Sequence, residues 1–156
     1  MIKVVAFNGS SRAKGNTADL LARATAALEA EGVSTETYPL AKETFRGCIG
    51  CMLCFENKNR RCAVESDNLN DYLAKMILAD GILLDSPVYF ADCSAIIKAL
   101  IERCGMVARA NDNFLKRKVG AAVAAVRRAG AVHTIDSLQH FFTIGEMIIA
   151  GSSYWN

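Results

Sequence analysis

The chain of 156 residues has two prolines, one tryptophan and two histidines, and aromatic residues make up 8% of it. It shows no Pro/Gly/Ser-rich linker, no low-complexity tract and no internal repeat, so one compact domain spanning 1–156 is expected. It also lacks charge of one sign: 18 Lys and Arg stand against 16 Asp and Glu, a net +2. That near-balance excludes bulk nucleic-acid binding and argues against an acidic electron carrier that docks by charge. No apolar run is long enough to cross a bilayer; Val119 to Val126 is far too short. The start, MIKVVAFNGS, lacks the long apolar segment and cleavage site of a secretion signal, and neither end carries a lipidation motif. The expectation is a cytoplasmic protein with no membrane and no nucleic-acid partner. Hydrophobic residues at 52% and charged residues at 22% exclude extended disorder.

What is there, against this sparse background, is cysteine. Four of the six cysteines fall between Cys48 and Cys62. In a reducing compartment such clustering points to metal or redox chemistry before structural disulfides.

Apolar runs alternate with amphipathic stretches. Ile2–Phe7 reads as a buried parallel strand. Leu20, Leu21, Ala24, Ala27 and Leu28 repeat at helical spacing until Gly32. Ser34–Leu40 is a weaker strand, with Pro39 marking its end or a sheet edge. Residues 42–64 have no period. Leu69, Leu73, Met76 and Ile77 mark a second helix, with Ser66 or Asp67 as its N-cap. Gly81–Asp85 is a third strand stopped at Ser86-Pro87, and Ile97, Leu100, Ile101 and Cys104 give a third helix. Lys118–Val126 is a fourth strand, Leu138, Phe141 and Phe142 lie on a fourth helix, and Met147–Ile149 is a short fifth strand. This βα alternation predicts a doubly wound α/β fold with right-handed crossovers, whose ligands sit at the carboxyl ends of the strands.

The loop after the first strand, Gly9-Ser10-Ser11-Arg12-Ala13-Lys14-Gly15-Asn16-Thr17, leads into the first helix. Free N–H groups and the positive dipole end favour an anion there; Ser10, Ser11 and Thr17 add hydroxyls and Arg12 a fork suited to phosphate. The spacing fits neither the P-loop nor the G-x-G-x-x-G dinucleotide motif. A polar turn that merely caps the helix is the alternative.

Phe7-Asn8-Gly9-Ser10-Ser11-Arg12 with Gly15-Asn16-Thr17 resembles the phosphate loop of the NADPH-dependent FMN reductase family, and Ser86-Pro87-Val88-Tyr89-Phe90 resembles that family's second marker loop. The resemblance implies a flavodoxin-like five-stranded parallel sheet of order 2-1-3-4-5. It implies FMN with its phosphate at Ser10, Ser11, Arg12, Gly15, Asn16 and Thr17, and its ring against Pro87, Val88, Tyr89 and Phe90. Arg127, Arg128 and Gly130, after the fourth strand, would stand on the other side of the ring. The implied activity is NAD(P)H-dependent: a hydride passes to FMN, and the electrons go on to a flavin, quinone or other small-molecule acceptor. No acid–base side chain is assigned, because hydride transfer to a flavin requires none. A homodimer or homotetramer is also implied, and the aromatics Tyr154 and Trp155 near the end need burial or a ligand. A flavodoxin-like sheet normally closes with one more helix than this chain supplies, so a missing C-terminal helix is expected.

Cys48-x2-Cys51-x2-Cys54-x7-Cys62 is the sharpest local pattern. Three thiolates at this spacing can wrap one face of a cubane and a fourth completes its coordination. The pattern resembles the cysteine motif of iron–sulfur flavoproteins, a branch of the same group, which implies a [4Fe–4S] cluster and ferredoxin as electron donor. Zinc, a reversible disulfide switch and a motif without a ligand stay open, as does a redox sensor that is not an enzyme. Cys93 and Cys104 read as small buried hydrophobes. His133 and His140 read as packing or surface residues. The basic run from Arg103 to Arg128 divides between a solvated face and contacts to a flavin or an anionic partner.

Overall fold

The computed structural model describes residues 1–152. Its elements run β1 (Lys3–Asn8), α1 (Asn16–Ala30), β2 (Ser34–Pro39), α2 (Leu53–Asn57), α3 (Leu69–Leu78), β3 (Gly81–Pro87), α4 (Ala95–Ala110), β4 (Val119–Ala125), α5 (Ala131–Ile144) and β5 (Ile148–Ile149). The strands form one parallel sheet in the order β2-β1-β3-β4-β5, the order expected. Pro39 ends the edge strand β2, where its missing N–H costs no ladder bond.

Alternate residues of each strand serve opposite faces of the sheet. Val5, Phe7, Ile82 and Leu84 join Leu73, Leu100, Cys104 and Phe142 in the larger core, under α3, α4 and α5. Ala6 and Leu83 join Leu21 of α1 in a smaller one. Small residues in β4 let α5 close on it: a Cβ at Gly120 would stand 2.6 Å from Phe142 Cδ1. Lys118 ties the sheet's lower rim by donating from Nζ to the carbonyls of Ile77 and Ala79.

Three details differ from the sequence reading. β3 runs on to Pro87, because Ser86 and Pro87 still align with Ala124 and Ala125 of β4. The stretch without a period contains α2, a helix of 5 residues between two left-handed residues, Met52 and Lys58. The N-cap of α3 is Asn68, one residue past the two expected, and makes no side-chain cap bond; Asp67, just before it, accepts the Leu69 N–H at 3.2 Å. Among the described residues no helix follows β5, and none is long and apolar enough to cross a membrane. Tyr154 and Trp155 lie outside the described residues.

Candidate functional site: a phosphate loop, an open pocket and a cysteine hollow

The loop after β1 is held by its own polar groups. Asn8 Oδ1 accepts the Ser10 N–H at 2.9 Å, and Ser10 Oγ accepts the Arg12 N–H at 3.1 Å. Gly9 donates its N–H to the carbonyl of Asp85 at 2.8 Å, which fixes the loop to the end of β3. Only glycine fits there: a Cβ on Gly9 would lie 2.0 Å from Ile97 Cγ1 and 2.7 Å from Ser94 Oγ. No side chain caps the start of α1. Its first N–H groups therefore have neither an intrahelical nor a side-chain partner, an arrangement that fits a phosphate.

This loop borders an open pocket of ≈ 850 Å³, within the range of cofactor sites. Of the residues named from sequence, it brings together Ser10, Arg12, Gly15, Asn16, Thr17, Pro87, Val88, Tyr89 and Arg127. Ser11 stands just behind, its Oγ 2.8 Å from the Tyr89 hydroxyl, so the first and third loops are stitched together. That bond is the leading cause that lowers the Tyr89 phenol below its usual range.

The remaining three lie apart from the pocket lining. Phe90 is fully exposed in a left-handed conformation, at the tip of a tight turn closed by the Tyr89–Asp92 bridge. Gly130, at φ 98°, packs against that turn; a Cβ on it would meet Val88 Cγ1 at 2.8 Å. Arg128 and Gly130 border a separate hollow with His133. His133 and His140 are both surface residues, as expected.

The sequence reading missed Asp19, Leu20 and Arg23 of α1, which line the same pocket. Their spacing from Asn16, one helical turn for Asp19 and Leu20 and two for Arg23, was the available signal. It also missed Asp85. This carboxyl is fully buried, neither oxygen has a hydrogen-bond partner, and burial pushes its pKa up to about 8.

The four clustered cysteines are all free thiols, and all four line one small hollow on the side of the larger core. Cys54 is the buried residue of α2, its Sγ 3.9 Å from the Met106 carbonyl; burial raises its pKa first, and the nearby Cys48 and Cys51 add to this. Arg103 is buried in the wall. Its Nε and Nη2 donate to Cys62 Sγ at 3.4 and 3.3 Å, and its Nη1 pairs with Asp67 at 2.6 Å. Four sulfur donors in one hollow, with two guanidinium N–H groups on the Cys62 sulfur, make a donor set that fits a thiolate-ligated group. Among the described residues no three His, Cys, Asp or Glu side chains converge tightly enough to hold one metal ion. A cubane spreads its ligands more widely than a single ion does. The hollow, at ≈ 20 Å³, has room for little more than a water, and the 48–53 segment that walls it is exposed. Cys104 is buried and inert, its thiol pushed up to about 12 by desolvation; Cys93, in the loop before α4, is pushed up to about 11.

Comparison with known proteins agrees with this geometry. An iron–sulfur flavoprotein of Methanocaldococcus jannaschii is 40% identical over 154 residues, which span 97% of this chain and 77% of the relative. An iron–sulfur flavoprotein of Methanosarcina thermophila is 31% identical, across 97% of this chain and 78% of the relative. Among solved structures, an NADH:FMN oxidoreductase superposes with a TM-score of 0.72 at 17% identity, covering 97% of this chain and 74% of that one. A flavodoxin from the domain Archaea gives 0.64 at 12%, covering 97% and 80%. At these identities the two structures speak for the fold alone. The family model described as NADPH-dependent FMN reductase matches residues 2–156, and the chain belongs to that family of FMN-binding flavoprotein oxidoreductases.

Proposed function

We propose that this protein is an iron–sulfur flavoprotein, an oxidoreductase that moves electrons between a [4Fe–4S] cluster on Cys48, Cys51, Cys54 and Cys62 and FMN in the open pocket. The observation that carries this reading is the common hollow of four free thiols with the Arg103 guanidinium on one sulfur. The similar archaeal proteins, both iron–sulfur flavoproteins, support it. FMN, when bound, supplies a ring that takes up electrons in pairs or singly and so can join a two-electron donor to a one-electron partner.

The chain's own residues bind and orient. Arg12, with the Ser10 and Thr17 hydroxyls and the uncapped start of α1, would hold the phosphate. Val88 and Tyr89 would present an apolar wall to the ring, and Arg127 would bring positive charge to its edge. Arg103 would stabilise the cluster's thiolates by donating to Cys62.

A second reading is favoured by the family description itself: direct reduction by NAD(P)H, with a small molecule as final acceptor. Ferredoxin is the donor of the first reading. The fully exposed Phe90 beside the pocket supports a homo-oligomer in which a neighbouring copy covers it.

An anaerobic visible spectrum tests the assignment. The expected result is flavin bands over a broad iron–sulfur absorbance, with only the latter lost in Cys51→Ser. Flavin bands alone in anaerobically reconstituted protein would overturn the cluster. Bleaching by NAD(P)H without ferredoxin would select the second reading.

A further inference from the structure

We propose that Asp85 makes FMN binding proton-linked: its carboxyl must carry a proton for the phosphate end of the cofactor to be held on the 9–17 loop. The inference rests on the FMN reading of the pocket.

Asp85 follows Leu83 on the same face of β3, so it points to the side that α1 covers. Its register neighbours are Asn8 of β1 and Val123 of β4. Its backbone carbonyl accepts the N–H of Gly9, the first residue of the loop, so Asp85 is tied to the start of that loop. Both side-chain oxygens are shut off from solvent and unpartnered.

No side chain on this face neutralises a negative charge. β1 turns Ala6 and Asn8 toward it, β4 turns Ala121 and Val123, and α1 turns Thr17 and Leu21 inward; none of these titrates. The charged residues lining the pocket above are Arg12, Asp19, Arg23 and Arg127, and none forms an ion pair with Asp85 among the described residues. Burial alone raises its proton affinity.

A phosphate dianion on the loop adds negative charge above a carboxyl in a low-dielectric site. The two anions repel, so the loaded protein holds the Asp85 proton more tightly than the empty one does. One proton is therefore taken from solvent as FMN binds, once the pH exceeds the empty protein's pKa. FMN affinity then falls by about tenfold per pH unit until the loaded protein's pKa is reached. The phosphate's own second ionisation lies near about 6, below this window.

The test titrates apo-protein with FMN between about pH 7 and about pH 9, read by quenching of flavin fluorescence. The same titrations use riboflavin, which lacks the phosphate, and Asp85→Asn. Wild-type Kd for FMN should rise roughly five- to tenfold across this range, the riboflavin Kd clearly less, and the Asp85→Asn Kd less than twofold. Proton uptake on FMN binding, followed with an indicator dye in weak buffer near about pH 8.5, gives the same answer without a variant. A flat wild-type profile with no uptake, or an equal slope in Asp85→Asn, overturns the proton link while leaving FMN binding intact. Absence of FMN binding at every pH overturns the FMN reading and the link with it.

Discussion

Asp85→Asn should make the cofactor-free protein more stable, by an amount that grows with pH. The substitution keeps the shape and removes the titration. In the folded protein the carboxyl's pKa stands at about 8, against an ordinary 3.8. A raised acid pKa means that the folded state keeps a proton the unfolded chain has lost. Stability therefore declines as pH rises through that window and levels off above it. Each pH unit within the window corresponds to about 1.4 kcal/mol, so the full interval is worth at most about 5–6 kcal/mol. Roughly 4 kcal/mol of this is already lost at neutral pH. The neutral amide carries a desolvation cost similar to that of the neutral acid, so the pH-dependent part is what the comparison isolates. Urea unfolding of apo wild type and Asp85→Asn at about pH 5 and about pH 8 should show the variant's advantage widening by about 3–4 kcal/mol. Other titrating groups are common to both proteins and cancel. An advantage equal at both pH values would refute the claim that this carboxyl is held uncompensated.

Gly9→Ala should cost about 1–3 kcal/mol and weaken FMN binding, because its new methyl collides with Ile97 and Ser94. Gly15→Ala is the control: its backbone is extended and the nearest atom to its Cβ, on Arg12, is 3.9 Å away, so thermal unfolding should barely change. Arg12→Ala should raise the Kd for FMN by about tenfold or more while leaving Tm unchanged, since the side chain is exposed and lines the pocket. Asp67→Ala leaves the buried Arg103 guanidinium without its carboxylate and should cost about 3 kcal/mol in denaturant unfolding.

The strands were legible because buried parallel strands are continuous apolar runs, as in Ile2–Phe7 and Lys118–Val126, and the strand order then gave the positions of the loops. What escaped the reading depends on contacts distant in sequence. α2 is too short to show a period; it is framed by left-handed Met52 and Lys58 and packs against α4. Arg103 sits in a basic run that the sequence divides between a solvated face and contacts to a flavin or an anionic partner, yet it is buried, and its partner Asp67 lies 36 positions away. Asp85 reads as the last residue of a strand stopped at Ser86-Pro87; only the register with β4 through Pro87 shows it to be interior. Arg127 and Arg128 are adjacent and look equivalent, but the turn before Gly130 sends them to different hollows.

The pocket bounded by α1 and the hollow of cysteines lie on opposite sides of a five-stranded sheet. The sheet thus acts as a bulkhead. The hydrogen bonds that anchor the first loop, to Asn8 and Asp85, involve no residue of the 48–62 segment, and the Arg103–Asp67 pairing involves none of the loop. Substitutions on the two sides should combine additively in stability. Either half of the molecule can be altered, by design or by descent, without first rebuilding the other.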